Sequence, residues 1–282
     1  MTAFLSPLDR KPKVHPSLPA IKLLAGGQPL FIGHRGCRQL APENTLPSFQ
    51  LALEAGADLV ELDYRQSSDG RLVVIHDQEL DRTTDAKRRW GARHIQVASR
   101  PASEIQSLDA GAWFHRQFAG TRVPLLEEAL DAIQPFAIPL IERKSGDVEV
   151  CLRLLRQKHL VNKVVVQSFD WAFLREFHCL EPAQVLGALG PPTILPDGRK
   201  PKGPFRRLGA RWFEGLDKTG AKVVVWNRRL SRQSVHLAHR HGLKVWVYTV
   251  NDTKLANRLL AMGVDGIITD NPAFLRRRFM QL

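Results

Sequence analysis

The chain has 282 residues, with 41 Lys or Arg against 28 Asp or Glu, a formal charge of +13 with histidine neutral. At 44% hydrophobic and 24% charged residues it can build a sizeable core, which excludes an intrinsically disordered chain. Three scattered cysteines (Cys37, Cys151, Cys179) form no C-x-x-C pair. This argues against a disulfide framework and a cysteine zinc site, and points to a reducing, cytoplasmic setting. No run approaches the roughly 18 apolar residues of a membrane span. The first residues also lack the long apolar region of a signal peptide. The positive charge by itself suits nucleic acid, an anionic membrane surface or a phosphorylated small molecule. It falls in short clusters (Lys87-Arg88-Arg89, Arg206-Arg207, Arg228-Arg229, Arg276-Arg277-Arg278), which equally describe a solvated surface.

Residues 1–27 read as an N-terminal extension and 28–282 as one α/β domain. Short β-branched runs alternate with amphipathic stretches from there on. The strands are expected at 31–36 (FIGHRG), 58–64 (DLVELDY), 139–145 (PLIERKS), 164–170 (VVVQSFD), 185–190 (VLGALG), 222–228 (KVVVWNR), 244–250 (KVWVYTV) and 265–270 (DGIITD). Helices between them carry start signals. Asn44-Thr45 is expected to cap a helix that ends at Ala55-Gly56, with Pro47 in its first turn. Ser231, Asp252 and Asn271-Pro272 open three later helices. In the fifth unit a Pro/Gly/Lys loop (191–204) precedes a helix over 206–217. Eight such units predict a (β/α)8 TIM barrel, and no G-x-G-x-x-G turn supports the doubly wound alternative.

A ninth run, RLVVIHD (71–77), follows the second strand too closely for a parallel crossover. It is expected to return as a hairpin. A turn centred on Asp69-Gly70 would place His76 directly opposite Asp63, on the face that also carries Glu61. Residues 78–123 exceed an ordinary βα loop and read as a small inserted subdomain.

In such a barrel the carboxyl ends of the strands form the site. They carry His34 and Arg35, Glu61 and Asp63, then Glu142 and Lys144, with His76 added by the hairpin. Three clustered carboxylates repel one another unless a hard divalent cation compensates them, and all-oxygen ligation favours Mg²⁺ or Ca²⁺ over zinc. Two imidazoles suit proton transfer in both directions, and Arg35 and Lys144 suit a phosphate. Each residue alone has a plainer reading: salt-bridge partner, helix cap or solvated lysine. Arg35, for instance, could pair with Glu43. The collection of all these types at one barrel end is what points to a site.

The chain resembles the glycerophosphodiester phosphodiesterase family from about residue 29 to 275. The matching segments are GHRG (33–36), APENT (41–45), ELD (61–63), DG-x-LVVIHD (69–77), LDRTT (80–84), LDAGAWF (108–114), VPLLEEAL (123–130), Glu142-Arg143-Lys144, VVVQSFD, YTVN (248–251) and GVDGIITDNP (263–272). The resemblance implies one divalent ion on Glu61, Asp63 and Glu142, and an acid/base pair of His34 and His76. Arg35 and Lys144 would then meet the substrate phosphate. The implied reaction is hydrolysis of a glycerophosphodiester to glycerol 3-phosphate and an alcohol. It leaves open which histidine is the acid, and whether the attacking oxygen belongs to water or to the substrate's glycerol. Where the family commonly has Trp before TVN, this chain has Tyr248, with Trp246 on the same strand face; both are candidates to pack against the substrate. Two competing functions remain. One is the same chemistry on a lysophospholipid, with Trp90, Trp113, Phe114 and Phe118 as a hydrophobic rim. The other is a basic nucleic-acid-binding module, which leaves the carboxylate and histidine set unexplained. The expected partner is a small phosphodiester, with weak attraction to anionic membrane and no specific nucleic acid.

Overall fold

The computed structural model describes residues 19–203 and 206–279. Most of the segment expected as an extension, residues 1–18, thus lies outside the described residues. Nine strands follow in order: β1 (Leu30–Gly33), β2 (Leu59–Gln66), β3 (Leu72–Val74), β4 (Ile138–Arg143), β5 (Val165–Ser168), β6 (Val185–Gly190), β7 (Val223–Trp226), β8 (Lys244–Val247) and β9 (Gly266–Thr269). All but β3 pair in parallel, and β1 bonds to both β9 and β2, so the eight parallel strands close into a (β/α)8 barrel.

Parallel strands are covered on both faces, which is why they read as near-continuous apolar runs. Their outward side chains pack with the helices. Their inward ones form a separate cluster that includes Ile32, Leu59, Leu140, Val165, Val225, Trp246 and Ile268. A short helix, Ala20–Leu24, adds Ala20 and Leu24 to that inner cluster. Strand alternation carries the same inward face upward. Two residues past Ile32 comes His34, past Leu59 come Glu61 and Asp63, and past Leu140 come Glu142 and Lys144. The barrel floor is therefore apolar and its mouth polar along the same rows.

Several expected strands end early. Over 31–36, 164–170 and 244–250 the sheet stops at Gly33, Ser168 and Val247, because the chain leaves the barrel where its functional residues begin. The helix expected over 206–217 is shorter, a 3₁₀ turn at Ala210–Trp212 leading into Phe213–Asp217. The helix Leu46–Glu54 starts where expected with Thr45 at its N-cap position, but the Thr45 side chain bonds no first-turn amide: its Oγ1 donates to the Pro42 carbonyl.

The hairpin register differs by one residue from the expectation. Tyr64 pairs with Val74 and Gln66 with Leu72, so Asp63 is not opposite His76. The turn uses three residues, Ser68, Asp69 and Gly70, closed by Ser67 N–H donating to the Arg71 carbonyl at 2.8 Å. Gly70 at φ +81° supplies the left-handed position that a three-residue hairpin loop requires. β3 then ends at Val74, and His76 lies beyond the ladder. The segment after it carries its own apolar cluster, including Leu80, Ile95, Val97, Ile105 and Leu108, joined to Val73 and Leu125.

Candidate active site

A cleft of about 240 Å³ opens at the carboxyl ends of the strands. Of the residues singled out in the sequence, His34, Arg35, Glu61, His76, Glu142, Lys144 and Tyr248 line it. Asp63 lies directly behind, paired in register with Glu142 across β2 and β4. Trp246 does not reach it. That indole is fully buried one layer deeper, in the inner cluster against Gly266, so its candidacy for substrate packing is withdrawn. Face parity placed Trp246 correctly but said nothing of depth. Gln167, Phe169 and Leu189 also line the cleft and were missed, although they follow the same parity on β5 and β6. Tyr248 packs edge-on to Phe169 and donates its hydroxyl to the Gly190 carbonyl at 2.9 Å.

The His-Arg-Gly segment makes a sharp turn off β1. Arg35 (φ +52°) and Gly36 (φ +84°) are both left-handed, and a Cβ at Gly36 would fall 2.4 Å from Ser48 Oγ. Only glycine lets this turn lie against the helix Leu46–Glu54. The turn aims Arg35 N–H at Glu61 Oε2, 2.7 Å away. The Arg35 guanidinium donates to Glu43 Oε1 at 2.6 Å and approaches Asp63 Oδ2 at 3.1 Å. Asn44, also left-handed at φ +58°, is tied to Asp63 twice. Its Nδ2 donates to Oδ2 at 2.8 Å, and its Oδ1 accepts from the Asp63 N–H at 3.1 Å. The residue expected as a helix cap is instead the fixed support of a site carboxylate.

Glu61, Asp63 and Glu142 each offer an oxygen within 4.8 Å of the others, and all three are buried. Burial, then the charges of Asp63 and Glu142, push the Glu61 carboxyl well above its usual range. Burial and Asp63 raise Glu142 to about 7. Asp63 resists burial and stays low because Lys144 and Arg35 face it. Lys144 Nζ bridges the group, bonded to Glu142 and 3.3 Å from Asp63 Oδ1, which makes no hydrogen bond. Three buried carboxylates beside one lysine and a shared arginine are short of positive charge. This donor set, all oxygen, fits a hard divalent cation.

Both histidines are held from behind by carboxylates that sequence reasoning did not identify. His34 Nδ1 donates to Asp270 Oδ1 at 2.6 Å, and Asn251 Nδ2 donates to Asp270 Oδ2 at 2.7 Å. His76 Nδ1 donates to Asp77 Oδ1 at 2.7 Å. With Nδ1 occupied, Nε2 of each ring is left for chemistry. Burial lowers the pKa of both imidazoles against the pull of these carboxylates. Arg82, from the segment that follows β3, donates to both Asp77 and Glu43 and so ties His76 to Arg35 through two ion pairs. The signal for Asp77 and Asp270 was present in the motifs HD and TDN, but nothing in the sequence ties Asp270 to His34.

The model of the glycerophosphoryl diester phosphodiesterase family matches residues 34–274. The glycerophosphodiester phosphodiesterase of Bacillus subtilis is 32% identical over 276 residues, covering 89% of this chain and 86% of its own. That of Caldanaerobacter subterraneus is 32% identical over 254 residues, covering 87% of this chain and 96% of its own. Among solved structures, a phosphodiesterase of Oleispira antarctica in complex with the product sn-glycerol-3-phosphate matches with a TM-score of 0.77. It is 26% identical and covers 90% of this chain and 97% of that one.

Proposed function

The chain belongs to the glycerophosphoryl diester phosphodiesterase family, and on that premise we propose that its cleft hydrolyses glycerophosphodiesters to glycerol 3-phosphate and an alcohol. The observation that carries this is the union, at one barrel mouth, of three carboxylates, two cations and two histidines each backed by an aspartate. The product held by the Oleispira antarctica relative supports the substrate class.

Glu61, Asp63 and Glu142 would hold a divalent ion, Mg²⁺ or Ca²⁺. Such an ion, when bound, neutralises charge on the non-bridging phosphate oxygens. Arg35 and Lys144 orient the phosphate, although Arg35 shares its charge with Glu43. His34 Nε2 takes the proton of the attacking oxygen as the new P–O bond forms: water gives glycerol 3-phosphate in one step, whereas the diester's own glycerol hydroxyl gives a cyclic phosphate that water then opens. His76 Nε2 gives a proton to the alkoxide as the P–O bond to the alcohol breaks. The assignment follows exposure: the His76 side chain is 31% exposed against 14% for His34, so solvent reprotonates His76 the more readily. Tyr248 stands where it can pack against the alcohol or glycerol. The three cysteines form no disulfide, which supports a cytoplasmic setting. Among the described residues no helix is long and apolar enough to cross a membrane.

Choline release from glycerophosphocholine tests this reading. Activity should need added Mg²⁺ or Ca²⁺ and vanish with excess chelator, and His34→Ala and His76→Ala should each be nearly inactive while folded. Full turnover in chelator, or near-normal turnover in either variant, overturns it. One observation favours a second reading, action on a lysophospholipid. Trp113 is 41% exposed and packs edge-on to Phe114, which meets Phe118 in the same way. Trp90, by contrast, is half-buried against the apolar cluster that follows β3. Faster choline release from lysophosphatidylcholine than from glycerophosphocholine would decide for the lipid.

A further inference from the structure

A second cationic feature lies outside the cleft. A groove of about 490 Å³ is lined by Arg207, Arg228, Arg229 and Arg258 around Leu208 and Leu230. All four arginines are exposed, and both leucines are buried. Arg228 and Arg229 closely follow β7, so the groove lies at the barrel end that carries the cleft, yet the two share no lining residue. Among the described residues no carboxylate pairs with any of these four guanidinium groups. Several arginines elsewhere do meet a carboxylate, as Arg82 with Glu43, Arg143 with Asp170 and Arg156 with Glu181.

Four like charges gathered around one groove repel one another, and an oxyanion between them relieves that repulsion. Guanidinium forks match the tetrahedral oxygens of a phosphate with paired hydrogen bonds. Ser231 also lines the groove and caps the nine-residue helix Arg232–Arg240, its Oγ accepting from Ser234 N–H. The other amides of that first turn add to the positive end of the helix. The groove's volume suits a small ligand, and among the described residues no aromatic ring lines it for base stacking, which sets it apart from a nucleic-acid track.

We infer that this groove binds a phosphate monoester or pyrophosphate group, outside the catalytic cleft, carried by a free solute or by a lipid head group. The test uses the full chain and two probes without divalent cation. Inorganic pyrophosphate is titrated by calorimetry, and phosphatidic acid vesicles are tested by co-sedimentation against phosphatidylcholine vesicles. R228A/R229A should weaken binding about tenfold or more. R277A/R278A removes the same charge elsewhere and should change binding less than about twofold. Pyrophosphate binding should survive K144A, which alters the cleft. A selective loss in the calorimetric arm assigns a solute, and one in the vesicle arm alone assigns a lipid. Equal effects of the two arginine pairs, no binding of either probe, or loss of pyrophosphate binding in K144A overturns the inference. Choline release by R228A/R229A should be unchanged, so failure here leaves the hydrolytic reading intact.

Discussion

His34 Nδ1 lies 2.6 Å from Asp270 Oδ1, a contact between residues 236 positions apart in the chain. His34 directly follows β1 and Asp270 directly follows β9, and these are the strands whose pairing closes the barrel. An imidazole held at Nδ1 by a carboxylate keeps one tautomer and one orientation. Asp270→Asn should therefore lower kcat for glycerophosphocholine by roughly 10²–10⁴ while changing KM little. A kcat within about twofold of the parent would mean that Asp270 does not set the orientation of His34.

Glu43 is the anchor of an arginine cluster. Its carboxylate is almost fully buried and meets Arg35 at 2.6 Å, Arg82 at 2.7 Å and Arg38 at 3.6 Å. Burial opposes its charge, but these arginines hold its pKa below the usual carboxylate value. Removing one member of a buried pair strands the other charges. Glu43→Gln should cost about 3–5 kcal/mol in urea unfolding. A loss below about 1 kcal/mol would mark these contacts as solvent-screened.

Asp77 makes a pH-dependent contribution with a definite sign. Burial works against its charge, yet hydrogen bonds from Arg82 and His76 bring its pKa from 3.8 to about 2. A carboxyl depressed in the folded state stabilises the protein above its unfolded value and stops doing so as pH falls through the folded one. Asp77→Asn should thus be less stable than the parent near neutral pH, with the gap closing between pH 3.8 and about 2. Urea midpoints of both proteins across that range measure it. A gap that widens in acid would reverse the sign and refute the pairing.

The cysteines should react unequally. Cys37 and Cys151 are buried, and burial pushes their thiols up to about 11 and about 12 respectively. Cys179 is exposed. Thiol-reactive reagent at neutral pH should label Cys179 alone in the native protein, with the other two reacting only on unfolding. Rapid native labelling of Cys37, which follows the His-Arg-Gly turn, would mean that the turn opens.

The barrel was legible because each strand is a short run buried on both faces, and its polar mouth was legible because alternation continues past the strand ends. Glu61, Asp63 and Glu142 could be placed from parity alone. What was not legible depends on depth and on distant closure. Trp246 and Tyr248 share a face, and only the packed barrel separates the filler from the cleft wall. The Asp-Gly pair suggested a two-residue turn, but the left-handed step falls at Gly70 after Ser68 and Asp69, shifting the register by one. Asn44 looked like a cap because its type favours caps; its tie to Asp63 exists only once β2 lies alongside. Arg82 reaches Asp77 behind His76 from the segment after β3, and Asp270 reaches His34 from just past β9, contacts that no local pattern encodes.

The meeting of first and last strands also bears on biosynthesis. A nascent chain made as far as Tyr248, just past its seventh barrel strand, carries most of the cleft lining, but neither Ile268 nor the aspartate behind His34. A chain released before residues 266–270 are made is left without a seam and without the carboxylate that holds His34. The barrel and the posture of His34 are thereby completed by one and the same segment, synthesised last among the strands.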